Sequence, residues 1–290
     1  MKKYFNIIII ILISFLIDSC SEIKDELPTP TKVSTHPDDF DKVGSPNFHG
    51  EFIKKHNWDM KLCQQCHGQK YNGGLSSVSC LTCHNQPTGP ENCSTCHNIN
   101  HDLKGNTATT ERGVGAHKVH LEGNSKGRTL SCSECHTVPS SVYQAGHIDD
   151  GTSAEVMFNG FFANVVTNEP STSEYDSQLP LFTPNPKYSY TNLSCSNNYC
   201  HGNFKNGNTE NAPTWTNSAS VTCGTCHGDI TKSTLAEQAL PKTSANGGTH
   251  VNVLNCSACH GGVVNANLQF IDPSKHIDGK LNLFGNDIDF

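Results

Sequence analysis

Hydrophobic residues form only one long run in the 290-residue chain. Ile7 to Ile17 is an apolar stretch interrupted by Ser14 alone, and Lys2 and Lys3 precede it. A bilayer-spanning helix needs about 20 apolar residues. The run is therefore too short for a span and fits the core of an export signal over residues 1–19. No later segment is long or apolar enough to cross a membrane. Downstream, apolar positions are sparse and their periods short. Ser45 and Pro46 read as an N-cap and a first helical position. From Phe48 to His67, His49, Phe52, His56, Met60 and Cys63 recur at helical spacing on one face. His117 and His120, three apart, are helix neighbours. Ala154 to Val166 is apolar enough for a short strand or hairpin, and Thr231 to Leu240, closed by Pro241, for a short helix. Gly, Asn, Ser and Pro dominate elsewhere. The pattern predicts a mostly irregular fold with short α-helices and little β.

Composition changes this picture in one respect. Hydrophobic residues make up 34% of the chain, so even with Gly included the apolar share falls short of the roughly 45–50% of an average globular domain. The charged fraction, 16%, is too low for an ordinary disordered chain. Ordering each residue costs about 1–2 kcal/mol of backbone entropy, so something besides aliphatic side chains must contribute to the core. With 15 Cys and 16 His, the candidates are disulfides, metals or bulky covalent cofactors. The net charge of −7, without a basic block, argues against nucleic acid as a partner and reads chiefly as solubility.

Cys20 stands apart. The sequence Leu16-Ile17-Asp18-Ser19-Cys20 resembles a bacterial lipoprotein processing site, with Cys20 as the lipidated residue; Asp18 departs from that pattern. Residues 20–45, with Pro28, Pro30 and Pro37, read as a flexible tether.

The other 14 Cys form seven close pairs, each followed at once by His. Six are CxxCH: Cys63-Cys66-His67, Cys80-Cys83-His84, Cys93-Cys96-His97, Cys132-Cys135-His136, Cys223-Cys226-His227 and Cys256-Cys259-His260. The seventh is a CxxxxCH, Cys195-Cys200-His201. CxxCH is the attachment motif of haem c. Two thiols form thioether bonds to the two vinyl groups, and the next His lies under the ring as the proximal iron ligand. Zinc ribbons also use CxxC pairs and exported chains use disulfides. Neither gives a reason for a His after every second Cys. Seven haems c are expected.

Nine His remain. His36 lies in the Pro-rich tether, which leaves His49, His56, His101, His117, His120, His147, His250 and His276 as candidate distal ligands for seven irons. Beyond Met1 only Met60 and Met157 are present. His/Met coordination is thus at most a minority, and a low potential follows from His/His coordination.

The motifs divide the chain. Residues 46–104 hold three, and the short links from His67 to Cys80 and from His84 to Cys93 keep consecutive haems near each other. Residues 105–166 form a one-haem module, 167–192 a Ser-, Thr-, Asn- and Pro-rich linker or loop, and 193–290 hold the last three motifs. One pattern repeats. Gly115-Ala116-His117 leads to Cys132-Cys135-His136 and then His147-Ile148-Asp149. Thr249-His250 leads to Cys256-Cys259-His260 and then His276-Ile277-Asp278.

The chain resembles the multihaem c-type cytochromes of metal-respiring and electroactive bacteria, in particular those mixing CxxxxCH with CxxCH. The resemblance covers about residues 48 to 280. It rests on Gly115-Ala116-His117-Lys118-Val119-His120-Leu121, Cys132-Ser133-Glu134-Cys135-His136-Thr137-Val138-Pro139 and Gly146-His147-Ile148-Asp149. It continues through Cys195 to Gly202, Pro213-Thr214-Trp215 and Cys223-Gly224-Thr225-Cys226-His227-Gly228. It implies a cytochrome c fold organised around stacked haems, mostly with two His per iron, and an exported electron carrier. The expected function is an electron-transfer conduit in extracellular or periplasmic respiration, with no catalytic residue. It would be tethered as an outer-membrane lipoprotein facing the periplasm or the cell surface. Partners would be other redox proteins, extracellular acceptors and, through lipid on Cys20, the membrane. Two alternatives differ in class. One is a multihaem reductase of a small oxyanion such as nitrite, which needs one open iron; no CxxCK variant marks one. The other is the subunit of a conductive cytochrome filament.

Overall fold

The computed structural model describes residues 34–148, 153–167 and 181–289. The expected export signal, Cys20, most of the expected tether, half of the 167–192 segment and Asp149 to Thr152 lie outside the described residues. The chain divides into two units, with the break between Asp59 and Met60.

The described fold is mostly irregular, with few short helices and small strand pairs. The longest described helices, His49–Lys55 and Lys61–His67, make about two turns each. Six of the described helical turns sit on the functional motifs: Lys61–His67, Cys93–Cys96 and Ser257–His260 as α-helices, and Cys80–Thr82, Cys132–Glu134 and Tyr199–His201 as 3₁₀ turns. A CxxCH sequence thus winds into about one turn, which brings the His to the face carrying the two thiols. His117–Leu121 is helical, as the spacing of His117 and His120 predicts. The helix expected over 231–240 spans only Leu235–Ala239, because Thr234 and Glu237 close a capping box at its start.

Two local expectations are corrected. The helix near the N-terminus begins at His49 after an uncapped Phe48, and Ser45 Oγ instead accepts from Asn47 N. It ends at Lys55, where Asn57 and Trp58 take left-handed backbone angles (φ 54° and 58°), and a second helix starts at Lys61. His49 and Cys63 are therefore not on one helical face. Ala154 to Val166 is neither strand nor hairpin. Its backbone bonds to the neighbouring Cys motifs instead: Met157 N to Cys135 O, Gly160 N to Glu134 O and Ala163 O to Tyr199 N. A lone strand's worth of apolar residues pairs with whatever backbone lies nearest, here the turns of two attachment motifs.

Three antiparallel hairpins each support one motif. Asn72–Gly73 with Val78–Ser79 presents the Val78 carbonyl to His67. Lys187–Ser189 with Ser194–Ser196 carries Cys195 itself. Lys280–Leu283 with Asn286–Asp289 turns at Phe284 and Gly285, both at positive φ as a two-residue turn of this kind requires. Phe284 N then binds Cys259 O, tying the last hairpin to the last motif.

The apolar core is small. Among the described residues, only Met60, Tyr71, Val114, Ala116, Phe158, Ala163, Val165, Tyr199 and Val263 are buried hydrophobics. Leu62, Leu75, Leu81, Val138, Ile230 and Leu254 are exposed. Each lies inside or close in sequence to an attachment motif or the hairpin that braces it.

Candidate functional site

None of the fourteen motif cysteines is paired in a disulfide. In the turns that start at Cys80, Cys93, Cys132 and Cys256, the second Cys or the His closes the turn through its backbone N–H onto the first Cys. Examples are His84 N to Cys80 O at 2.9 Å, His136 N to Cys132 O at 3.0 Å and His260 N to Cys256 O at 2.8 Å. The wider CxxxxCH reaches a similar end differently. Cys195 and Ser196 stay in a strand, Asn197 reverses the chain at φ 55°, and buried Asn198 caps the final turn by accepting from His201 N. The two extra residues are thus spent on a reversal, and Cys200-His201 leaves it in a tight turn.

The histidines meet in pairs. His97 and His147 have ring centroids 6.0 Å apart, His117 and His136 6.5 Å, and His120 and His201 6.1 Å. His227 and His276 are 6.4 Å apart, and His250 and His260 6.3 Å. A metal–imidazole bond of about 2 Å on each side, with the nitrogen at the ring edge, puts the centroids of two opposed ligands about 6 Å apart. Every one of these pairs joins the His of an attachment motif to one of the remaining histidines. Imidazoles in van der Waals contact would be closer, and unrelated ones would show no common spacing. Among the described residues no three His, Cys, Asp or Glu side chains converge as a zinc cage needs.

Orientation fits the same use. In eleven described histidines Nδ1 lies against a backbone carbonyl. Distances include 2.8 Å from His120 to Ala116 O, 2.6 Å from His136 to Glu155 O, 2.8 Å from His147 to Val142 O and 2.7 Å from His260 to Asn282 O. The others are His49, His56, His67, His101, His117, His250 and His276. An Nδ1–H donated to a carbonyl fixes the tautomer and leaves Nε2 with its lone pair outward, the arrangement of a metal-binding imidazole. Burial pushes His201 down to about 3 and His227 down to about 4, so both rings are neutral near pH 7. Burial also pushes the thiols of Cys135 and Cys195 up, to about 12 and about 11.

The remaining candidates are placed as follows. His49 and His56 belong to the first unit, at and just beyond the helix His49–Lys55. His67 takes Val78 O and Ser76 Oγ as neighbours, at 2.9 and 3.0 Å. His101 turns Nδ1 to Asp102 O at 3.1 Å. Met60 is buried and Met157 exposed.

Several supporting residues escaped the sequence reading. Asn208 Nδ2 donates to Gly224 O, Thr225 O and Gly228 O, at 2.9, 3.2 and 3.2 Å. Asn211 Nδ2 donates to His201 O at 2.8 Å. The two asparagines thereby join the CxxxxCH turn to the following CxxCH. Glu134, inside Cys132-x-x-Cys135, is buried and accepts from Ala163 N at 2.7 Å. Trp215 lies between His117 and His120, at 4.8 and 5.8 Å. The Asn-rich stretch between two motifs was the available signal for the first two. Nothing in the sequence marked Glu134 as buried.

Residues 194–227 match the family described as Geobacter CxxxxCH...CXXCH motif. No curated protein and no solved structure matches the chain. The matched segment runs from the strand that carries Cys195 to His227, and so contains the CxxxxCH turn, both bridging asparagines, Trp215 and the following CxxCH. Over this segment the chain is similar to the multihaem c-type cytochromes that combine CxxxxCH and CxxCH motifs.

Proposed function

We propose that the chain is an exported heptahaem cytochrome c that conducts electrons between redox partners in periplasmic or extracellular respiration. The observation that carries this reading is the set of five imidazole pairs, each spaced for one metal and each including a motif His. Fourteen thiols in seven turns hold the cofactor covalently, so its position does not depend on an equilibrium. Motif histidines His67, His84, His97, His136, His201, His227 and His260 present the proximal nitrogen. A covalently bound haem supplies a reversible one-electron couple at its iron. The chain's part is to fix position, set the two axial nitrogens and, at most sites, orient each imidazole through a carbonyl acceptor. With His on both sides and no Met among the paired ligands, the potentials fall at the low end for cytochromes c. Lipid on Cys20 would tether the chain to the outer membrane, facing the periplasm or the cell surface. The net charge of −7 favours encounter with basic patches on partners.

A redox titration of the purified protein, followed by its visible spectrum, tests the reading. Seven haems by intact mass, a low-spin α-band on reduction and low midpoint potentials are expected. A haem count well below seven, or a predominantly high-spin spectrum, overturns it. Replacing Cys20 with Ser should release the protein from the membrane fraction with its haems retained.

A further inference from the structure

We propose that residues 93–147 and 223–276 are two copies of one crossed two-iron module, and that a further iron site pairs His120 of the first copy with His201, which lies between the copies in sequence. The proposal rests on haem attachment at these motifs. In each copy two attachment motifs alternate with two further histidines that face them; the first copy also holds His101 and His120. The order is Cys93 to His97, His117, Cys132 to His136, His147 in the first, and Cys223 to His227, His250, Cys256 to His260, His276 in the second. The ring pairs follow one plan in both. The inner histidine faces the motif just after it: His117 with His136 and His250 with His260. The outer histidine passes that motif and returns to the earlier one: His147 with His97 and His276 with His227.

Chain proximity does not dictate this. His147 follows His136 closely in sequence and lies far from His97, yet it faces His97. His276 likewise lies much nearer in sequence to His260 than to His227, and it faces His227. The same crossing, formed twice over similar spans, is the mark of a duplicated unit. Crossing also means that the earlier site of each module closes only when the chain through the later motif has folded back over it.

His120 has no counterpart in the second copy, where the position three after His250 is Val253. It faces His201, well outside its own module, across 6.1 Å. The helix His117–Leu121 thus offers one imidazole to its own module and one to the CxxxxCH turn. Lys126 ties the first copy to the second: its carbonyl accepts from His276 Nδ1, and its Nζ donates to the carbonyl of Val221, just ahead of Cys223, at 3.0 Å.

The test uses the full-length holoprotein carrying His147→Gly. One high-spin ferric haem should appear in the electron paramagnetic resonance spectrum and return to low spin with added imidazole. The same substitution should add no high-spin signal in a Cys93→Ser/Cys96→Ser chain, and should still add one in a Cys132→Ser/Cys135→Ser chain. The opposite assignment, or no high-spin haem in any background, overturns the crossing. Where the six-haem chains do not accumulate, the reduced unmodified holoprotein gives the answer by NMR. The His147 ring should show Overhauser contacts to the haem bound by Cys93 and Cys96; contacts to the haem of Cys132 and Cys135 refute it. Intact mass separates the two levels. Missing haem at these motifs sinks the cofactor reading, whereas a full complement with the wrong assignment sinks the crossing alone.

Discussion

Most of the paired imidazoles are held on two sides, by a carbonyl behind Nδ1 and by the neighbours that set the ring plane. The planes differ. His120 and His201 are nearly perpendicular at 84°, as are His227 and His276 at 81°, while His250 and His260 lie at 17°. Crossed axial planes leave two iron d orbitals nearly degenerate, which gives strongly anisotropic ferric resonances; near-parallel planes give rhombic ones. Both types should appear in the spectrum of the oxidised holoprotein. Trp215 stacks on His120 at 18° between planes and donates Nε1–H to Arg112 O at 2.9 Å. Gly115, at φ 43°, makes room for it: a Cβ there would overlap the indole ring. Trp215→Leu should therefore move one strongly anisotropic resonance and spare the other, with Trp215→Phe in between; an unchanged spectrum counts against this role. A second residue-scale prediction concerns Glu91, whose Oε1 accepts from Tyr71 and Tyr143 hydroxyls at 2.6 and 3.3 Å. Glu91→Ala leaves buried Tyr71 without its acceptor and should cost about 1–3 kcal/mol in denaturant unfolding of the holoprotein, with Glu91→Gln costing less. At this scale the motif cysteines and histidines stand out in the sequence, because thioether chemistry would fix their spacing and the spacing recurs. The facing partners do not. Even His250 and His260, the pair nearest in sequence, lie in different elements, and His120 and His201 are separated by two further attachment cysteines and a hairpin. No periodicity reaches that far.

At the level of elements, the sequence foretold short helices and missed where they stop. The 48–67 stripe has one period, yet Asn57 and Trp58 break it by taking left-handed backbone angles. The period reports the apolar face and is blind to such a reversal. The C-terminal hairpin was equally hidden. Leu281, Leu283 and Ile288 alternate with polar residues across Phe284-Gly285, but the strands are four residues each. Its register follows from tertiary bonds, Phe284 N to Cys259 O and His260 Nδ1 to Asn282 O. Local pattern is weak where the chain's partners are turns of attachment motifs rather than regular elements. Asn208 illustrates the consequence. A single side chain satisfies three carbonyls around the Cys223–His227 turn, which no ladder would otherwise pair. Asn208→Ala should lower the holoprotein's stability by about 1–3 kcal/mol, visible as a reduced melting temperature with the haem count intact. Asn208→Asp should do at least as much harm, because it sets a carboxylate against carbonyl oxygens. A melting temperature equal to the parent's in both variants removes the asparagine from the account.

For the whole molecule the question is what replaces the missing core. Nine buried apolar residues among those described cannot offset an ordering cost of about 1–2 kcal/mol for each residue. Burying a large aliphatic or aromatic side chain returns only about 1.5–3 kcal/mol. Hydrogen bonds contribute, but many of them, such as the carbonyl contacts of the paired histidines, orient imidazoles and fill no core. Apolar side chains left exposed beside the motifs, Leu75 at 88% and Val78 at 62% among them, point to the same deficit. Seven macrocycles spread along the chain from Cys63 to His260 would place large apolar plates where those side chains are bare. Their irons would bridge chain segments that otherwise share few contacts. The consequence is linkage: a ligand that binds only the folded state adds its binding free energy to stability. Chain produced without residues 1–19, the proposed export signal, and so without haem attachment, should show no cooperative thermal transition and rapid proteolysis throughout the motif regions. The matured protein should unfold cooperatively. Within a matured chain the effect should be graded: losing the haem of Cys195 and Cys200, which ties the first module to the CxxxxCH turn through His120, should destabilise more than losing that of Cys256 and Cys259, whose ligands both lie within one module. Denaturant unfolding of the two six-haem variants decides between this order and its reverse.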